Sequence, residues 1–455
     1  MSASPWTDTS AALFARHGTP TQLAEALQAS RQDTLSLWDA YVRALPDLRV
    51  PEHPTLNLPL WELGHIGWFQ TRWLERHALW RLGTQADPTQ PLRPARPAQA
   101  DELFDSSAVP HATRWHLRLP TTDALMEELA RGLEATQALL RTLNAASAGG
   151  TGHTGAVSAL GPSMGTTVDQ DAALYFFRLA LLHEDMHHEA GLYMARALGV
   201  PVHDPRCQPR LLPAPPSPLA VPAGLWHSTS PDAPGFAFDN ELGMQAVELP
   251  AFEIDAQPVR WAEFLPFVES GGYADPRWWT PEGWRWLQTD AGCWRALAVV
   301  GAAQAEPPAP GDDDGLLPRY LTQRRGRWEC WRGGRWGPLD LAEAASHLSA
   351  HEAQAWCAWA GCRLPTEFEW EQALAAHPAA FRWGDVWEWT ASLHQPFPGF
   401  TPHPYRDYAA PWFDGRPVLK GASHLTQPRM RHPRYRNFFT ADRNDLAAGF
   451  RTCPR

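Results

Sequence analysis

The first 200 residues of this 455-residue chain carry apolar positions with the period of an α-helix. Leucines and aromatic residues recur three or four positions apart, and they predict four helices at roughly 20–46, 58–83, 121–147 and 168–199. Thr121 provides an N-terminal cap for the third helix, and Gly199 ends the fourth. Four long helices favour an antiparallel bundle, an architecture whose core often holds metal sites.

The pattern changes beyond the proline-rich residues 201–222. Short apolar runs then alternate with Gly, Pro and Trp, and helical spacing returns only near 260–270, 349–360 and 366–376. We therefore predict an α+β protein in three parts: a helical domain over 1–205, a linker over 206–222 and a second domain over 223–455.

The composition narrows the class of protein. A formal net charge of −11 disfavours nucleic acid or an anionic membrane as the partner. The N-terminus lacks a basic segment followed by an apolar run, and no apolar stretch approaches the length of a membrane span. We therefore expect a cytoplasmic protein. The 24 Trp, with 44 Pro and 33 Gly, indicate a second domain held together by large aromatic anchors, and the six irregularly spaced Cys are expected to be free thiols.

Three histidines suggest metal chemistry. His183 and His187 lie one turn apart on the same face of the fourth helix, so their imidazoles can chelate one divalent metal. His65, on the second helix, would complete a facial triad. Such a triad leaves coordination positions open for substrate and dioxygen, as in a catalytic site.

Other interpretations of these histidines exist. His65 lies among aromatic residues and would also be explained as a core residue. The segment 183–187 matches the His-Glu-x-x-His pattern of zinc proteases, but a helical bundle with an upstream third ligand fits that pattern poorly.

The neighbouring polar residues are expected to orient the metal-bound rings; these are Glu184, Asp185, His188 and Glu189. Gly64 and Gly67 beside His65 indicate that another part of the chain approaches that helix face closely.

Several motifs resemble a known family. Residues 59–70 and 183–189 resemble the iron-binding signatures of the ergothioneine-type sulfoxide synthases. The second half resembles the formylglycine-generating-enzyme fold, a C-type-lectin-like architecture, in Gly271-Gly272-Tyr273 and in residues 363–370, 385–390 and 448–451. The resemblance implies a DinB-like four-helix bundle in which His65, His183 and His187 bind Fe(II), followed by a lectin-like substrate domain.

The family joins a sulfur donor to C2 of the imidazole ring of hercynine, which is trimethylated histidine, with O2 as co-substrate. The resemblance implies that Asn437 and Phe438 hold hercynine and that Arg443 binds the carboxylate of an amino-acid donor. Trp68 and Phe438 are the candidates for contact with the trimethylammonium group, because aromatic faces attract quaternary ammonium ions.

This chain departs from the family pattern at three places. Phe439 stands where the thiol-using enzymes place an aspartate for the donor's amino group, and Met186 stands where a glutamine near hercynine is common. The family's catalytic tyrosine is expected near residues 396–400, which contain none. Tyr405 and Tyr408 lie close by, and we treat both as candidates.

Phe439 affects which class of donor the site can bind. A phenyl ring cannot accept a hydrogen bond from a buried ammonium group, whereas an apolar surface suits a sugar ring. The pattern therefore resembles the selenoneine synthase branch, which combines hercynine with a selenosugar.

Three alternatives stay open. The first is an ergothioneine-type enzyme that uses γ-glutamylcysteine or cysteine. The second is a formylglycine-generating oxidase, which would need paired copper-binding cysteines where only Cys453 lies near the C-terminus. The third is a non-catalytic lectin-like binding protein, which would not need three histidines that face a metal.

Overall fold

The computed structural model describes residues 9–148, 170–289 and 316–455. Six α-helices lie in the described part of the first half: α1 Ser10–His17, α2 Pro20–Ala44, α3 Pro59–Thr71, α4 Ala100–Phe104, α5 Thr122–Ala148 and α6 Gln170–Leu198. The four predicted helices correspond to α2, α3, α5 and α6. Helix α2 begins with a capping box, in which Thr19 and Gln22 satisfy each other's backbone N–H groups.

Helices α2, α3, α5 and α6 pack against one another side by side. Their apolar faces bury Trp38, Trp61, Phe69 and the leucines of the sequence pattern. Burial of these side chains is the main force that holds the helices together, at roughly 1.5–3 kcal/mol for each large apolar side chain. The chain therefore begins with a helical unit, as predicted.

The second predicted helix is shorter than its sequence pattern suggested. Regular α-helix ends at Thr71, a wider π turn follows over Arg72–Arg76, and a 3₁₀ segment occupies Trp80–Gln85. Gly83 adopts φ +55° there, and a Cβ at this position would lie 2.5 Å from the carbonyl oxygen of Ala172. This close contact with α6 requires a glycine in the 3₁₀ segment that follows the helix.

The second half is rich in loops, as predicted from its Trp, Pro and Gly content. Four helices are described: α7 Trp261–Glu269, α8 Pro281–Leu287, α9 Ala350–Ala360 and α10 Glu367–Ala376. The strands are β1 Leu219–Val221, β2 Gly224–His227, β3 Ala246–Leu249, β4 Phe252–Ile254, β5 Leu321–Arg324, β6 Arg327–Arg332, β7 Arg335–Pro338, β8 Cys362–Arg363, β9 Trp387–Leu393, β10 Pro417–Gly421, β11 Asn437–Phe438, β12 Ala448–Gly449 and β13 Cys453–Pro454.

The strands form small sheets. The largest has the order β11-β10-β9-β12, with β12 parallel to β9 and the other neighbours antiparallel. Buried tryptophans anchor it. Trp370 donates a hydrogen bond to Glu388, and Glu388 also accepts two from Arg451, so a buried carboxylate is fully paired. This sheet carries Asn437 and Phe438 at one edge.

The two halves contact each other from the first helix onward. Arg16 of α1 forms a buried bidentate ion pair with Glu241 of the second half, at 2.6 and 2.7 Å. Strand β1 lies inside the stretch predicted as a linker and pairs with β4.

The five cysteines within the described residues are free thiols. Among those residues, no helix is both long and apolar enough to cross a membrane.

Candidate metal centre and substrate site

His65, His183 and His187 converge in the core between α3 and α6. One ligand nitrogen from each lies within 4.8 Å of the others, and the Nε2 atoms of His183 and His187 are 3.2 Å apart. The spacing of four residues on α6 produces the close pair, and the packing of α3 on α6 brings His65 to it. The structure thus brings together the three histidines that the sequence singled out.

The glycines of α3 explain how His65 is oriented. A Cβ on Gly64 would lie 2.2 Å from the ring of Phe104, so only glycine allows α4 to approach this face. The carbonyl oxygen of Phe104 then accepts a hydrogen bond of 2.8 Å from Nδ1 of His65. The expectation of a close approach at this face is confirmed, and Nε2 of His65 is left as the atom available to a metal.

His187 is oriented by Glu62, which sequence reasoning missed. Its Nδ1 donates to Oε2 of Glu62 at 2.5 Å, and the side-chain amide of Asn57 donates to the other carboxylate oxygen. Burial raises the pKa of Glu62, but the positive charge and hydrogen bond of His187 outweigh it and bring the pKa to about 2. The sequence did contain a signal for this role. Glu62 is an acidic residue one turn before a histidine on an otherwise apolar helix, where its carboxylate becomes buried.

The expectation that acidic neighbours on α6 orient the rings is wrong. On an α-helix, the positions of these four residues point away from the face that carries His183 and His187. Glu184 instead forms an ion pair with Arg31, and Asp185 pairs with Arg429. His188 and Glu189 contact Gln427 and Ser423 of the second half.

Two histidines of this cluster, His65 and His183, favour the neutral form. Burial lowers the pKa of His65 to about 3, with the charge of His187 as the next cause. Burial also lowers the pKa of His183 well below its usual range. Neutral imidazoles offer lone pairs to a metal, and the hydrogen bonds on Nδ1 of His65 and His187 fix which nitrogen can do so. The donor set therefore fits a divalent transition metal.

Aromatic rings form one wall of the centre. Phe69 stacks on His183 with 3.5 Å between ring centroids and 4° between planes. Tyr405, from the second half, contacts the edge of Phe69 at 4.9 Å and lies 6.2 Å from the ring of His183. Tyr408 is more remote, because it lies 6.3 Å from Tyr405 and stacks on Phe238 at 4.3 Å. Of the two candidate tyrosines, Tyr405 is therefore the one beside the histidines.

The predicted hercynine residues lie at the edge of the main sheet. Asn437 and Phe438 form β11, and Phe438 stacks on His394 at 4.0 Å. Met186, between the two histidines of α6, accepts a hydrogen bond of 3.4 Å from the hydroxyl of Tyr435. Tyr435 is a second residue that sequence reasoning missed, and it links the metal-site helix to β11.

Trp68 has contacts that reduce its suitability for a cationic substrate. Its ring lies 5.6 Å from His65, and the guanidinium of Arg72 lies 5.1 Å from it. The indole N–H donates to Asp101 at 2.7 Å. Phe438 is only half-buried and carries no such cation, so it is the better placed of the two candidates.

Arg443 is already paired. Its guanidinium forms two hydrogen bonds with Asp445, at 2.6 and 2.7 Å, and lies 5.0 Å from the ring of Phe439. Burial lowers the pKa of Arg443, but the charge of Asp445 outweighs it and raises the pKa. A donor carboxylate would have to compete with Asp445 for this cation.

Comparisons with known proteins place this geometry in context. Residues 205–385 match the family model of the sulfatase-modifying factor enzyme 1-like domain, so this stretch of the chain contains a domain of the formylglycine-generating-enzyme type. Over nearly its whole length the chain is similar to hercynine oxygenases. It is 29% identical to the one from Mycolicibacterium thermoresistibile, across 94% of either chain.

Two further relatives differ in how much of the chain they match. The chain is 29% identical to the hercynine oxygenase of Mycobacterium tuberculosis, across 95% of this chain and 98% of that protein. It is 30% identical to the formylglycine-generating enzyme of Streptomyces coelicolor, but across only 37% of this chain and 50% of that protein. The similarity to hercynine oxygenases therefore includes the helical half with its three histidines.

Proposed function

We propose that this protein is an Fe(II)- and O2-dependent enzyme that joins a selenosugar to C2 of the imidazole ring of hercynine and so leads to selenoneine. The observation that carries the proposal is the convergence of three histidine side chains in a chain similar to hercynine oxygenases over nearly its whole length. When bound by His65, His183 and His187, iron would supply open coordination positions for dioxygen and for the donor's selenium.

The second half supplies the groups that hold hercynine. Asn437 offers an amide and Phe438 an aromatic face, and both belong to a strand tied to the central sheet. The trimethylammonium group gains cation–π attraction at the face of Phe438. Tyr435, two residues before β11, contacts Met186 of α6 and so links this strand to the helix of the histidine pair. Substrate is thus held by both halves, which restricts its orientation relative to the histidines.

Tyr405 is the proposed proton donor. Burial raises the pKa of Tyr405, so its hydroxyl stays protonated at neutral pH. Its ring lies beside Phe69 and His183, at the wall of the centre. A protonated phenol in that position can give a proton to reduced oxygen and exclude bulk water from the same space.

The contacts of Arg443 support a donor without an amino-acid group. In this chain Asp445 holds the guanidinium and Phe439 covers it. An α-ammonium group placed beside Phe439 would lose hydration, and the ring offers it no hydrogen-bond acceptor in return. A sugar ring packs its apolar face against an aromatic ring without that loss.

The proposed reaction is a four-electron reduction of dioxygen. The C2–H bond of hercynine and the Se–H bond of the donor break, and a C2–Se bond forms. Dioxygen accepts four electrons: two come from this coupling and two from selenium. One oxygen atom leaves as water, and the other stays on selenium as a selenoxide. Hydrolysis of the bond between selenium and the sugar would release the sugar as an alcohol and leave a selenenic acid, and two molecules of a thiol would reduce that acid to selenoneine with formation of a disulfide and water.

The test is anaerobic loading with Fe(II), followed by O2, hercynine and one donor at a time, with products identified by mass spectrometry. A selenium-bearing imidazole from the selenosugar alone is the expected result. A sulfoxide from γ-glutamylcysteine or cysteine would replace the proposal with the thiol-using alternative. The variant His187→Ala should lose iron and turnover, whereas His77→Ala, at a buried histidine outside the cluster, should keep both. A protein that retains no metal would instead support the lectin-like binding alternative.

A further inference from the structure

Residues 423–429 of the second half contact faces of α6 that do not carry the histidine pair. Arg429 donates from Nε and Nη2 to the two oxygens of Asp185, both at 2.8 Å. Asp185 lies between His183 and His187 and also accepts a hydrogen bond of 2.7 Å from Ser30 of α2. The carboxylate is buried, so its orientation depends on these partners.

The same segment holds the next turn of α6. Oε1 of Glu189 accepts hydrogen bonds from Ser423 at 2.7 Å and from Thr426 at 2.9 Å. The indole N–H of Trp387 donates to that oxygen at 2.8 Å. Gln427 bonds Nδ1 of His188 at 2.9 Å. Asp185, His188 and Glu189, all within two positions of His187, are thus engaged by residues 423–429.

Within the helical half, a buried arginine of α2 also holds α6. Arg31 of α2 binds Glu184 of α6 at 2.7 and 3.0 Å and Gln70 of α3 at 2.8 Å. This arginine therefore sets the spacing between α3 and α6. It reaches α6 through Glu184, whereas residues 423–429 hold Asp185, His188 and Glu189 farther round the helix and so also oppose a rotation of α6 about its own axis. A rotation of that kind would move His183 and His187 relative to His65.

We propose that residues 423–429 position the His183–His187 pair, so that docking of the second half and metal binding are coupled. The inference rests on the proposed metal centre but not on the choice of substrates. Arg429 is the main positioning residue, because it contacts Asp185 with two nitrogens and also bonds Asp33 of α2 at 2.8 Å. Coupling is reciprocal, so metal should tighten the docking as much as docking tightens the metal.

The first experiment measures metal binding without hercynine or O2. The variants Arg429→Met and Arg429→Lys are titrated anaerobically with Co(II), and the d–d absorption bands report the coordination geometry. We expect Arg429→Met to weaken Co(II) binding by about 10-fold or more and to change the bands, as is usual when a residue that supports metal ligands is lost. Arg429→Lys should restore part of both. The matched control is Arg260→Met, at an equally buried arginine paired with Glu263 in the second half, which should keep the wild-type affinity and bands.

Wild-type affinity and unchanged bands in Arg429→Met would overturn the inference. If that variant does not fold, the double variant Ser423→Ala and Thr426→Val takes its place, since it removes two neutral hydrogen-bond donors to Glu189. Its Co(II) affinity and absorption bands then test the same coupling. The reciprocal measurement is amide hydrogen exchange of the wild type with and without Co(II). Metal should slow exchange in residues 423–429, and equal rates in both states would contradict the coupling.

These outcomes separate the inference from the proposed function. A protein that binds Co(II) through the three histidines but never turns over hercynine would disprove the proposed function and leave the inference to be decided by the spectra. A protein whose Co(II) affinity is the same in His187→Ala as in the wild type would disprove both.

Discussion

Nδ1 of His187 lies 2.5 Å from Oε2 of Glu62, and this contact joins the two helices that carry the candidate metal ligands. Glu62 lies on α3, three residues before His65, and His187 lies on α6. One carboxylate therefore fixes the ring of a histidine on the opposite helix. It also increases the electron density at Nε2, the atom that faces His183.

The variant Glu62→Gln should weaken metal binding while the protein stays folded. An amide keeps the size of the side chain but removes the charge that supports the imidazole, and we expect a loss of about 10–100-fold in Fe(II) or Co(II) affinity. Anaerobic titration of the purified variant measures the effect. Glu75→Gln, at a partly exposed glutamate paired with Arg131, should keep the wild-type affinity. Equal affinities in the two variants would show that Glu62 has only a packing role.

The variant Gly64→Ala should disturb His65 through Phe104. The new Cβ would lie 2.2 Å from the Phe104 ring, so α4 must move and its carbonyl must leave Nδ1 of His65. We expect a loss of about 1–3 kcal/mol in the free energy of unfolding, as for other overpacked cores, together with weaker metal binding. Gly337→Ala is the control, since a Cβ there meets no atom within 4 Å. A Gly64→Ala protein as stable as the control would refute this account of α3.

Sequence reasoning found His183 and His187 because a helical period requires no tertiary information, whereas His65 was assigned through the resemblance of residues 59–70 to a known iron-binding signature. His183 and His187 share a face on any α-helix. The partners of these rings were not accessible in the same way. Glu62 and the carbonyl of Phe104 reach His187 and His65 only after α3 has packed on α6 and α4. The acidic residues of α6 looked like partners because they are close in sequence, yet the helix directs them elsewhere.

Acid should destabilise the protein through buried neutral histidines. Burial is the main cause that lowers the pKa of both His394 and His424 from 6.5 to about 3. The unfolded chain then binds more protons than the folded one between pH 6.5 and 3. Stability is therefore complete above pH 6.5 and falls as pH decreases through this window, by on the order of 1 kcal/mol per pH unit for each histidine.

Urea unfolding of the metal-free protein at about pH 7.5 and about pH 5 measures this loss. The variant His424→Gln should show a smaller difference between the two conditions. His116→Gln, at an exposed histidine, should match the wild type. A pH difference that is unchanged in His424→Gln would assign the acid sensitivity to other groups.

The variant Tyr405→Phe should lower turnover without loss of metal. The phenol lies beside Phe69 and His183, and general acid catalysis by a positioned side chain is worth roughly 100-fold to 10,000-fold. We expect kcat to fall within that range while Co(II) affinity stays unchanged. Tyr408→Phe is the matched comparison, because Tyr408 stacks on Phe238 and is farther from the histidines. A larger loss in Tyr408→Phe than in Tyr405→Phe would reverse the assignment of the proton donor.

The variant Phe439→Asp should shift donor preference towards amino-acid thiols. A carboxylate at this position would give the donor's ammonium group the partner that a phenyl ring cannot supply, and it would lie near Arg443. Sites that hydrogen-bond a polar substrate group discriminate far more strongly than apolar ones, so the ratio of kcat/KM for γ-glutamylcysteine over the selenosugar should rise by about 10-fold or more. Phe439→Leu removes the ring without adding charge and should weaken the selenosugar without improving the thiol. If Phe439→Asp and Phe439→Leu give the same ratio, the donor is selected elsewhere in the site.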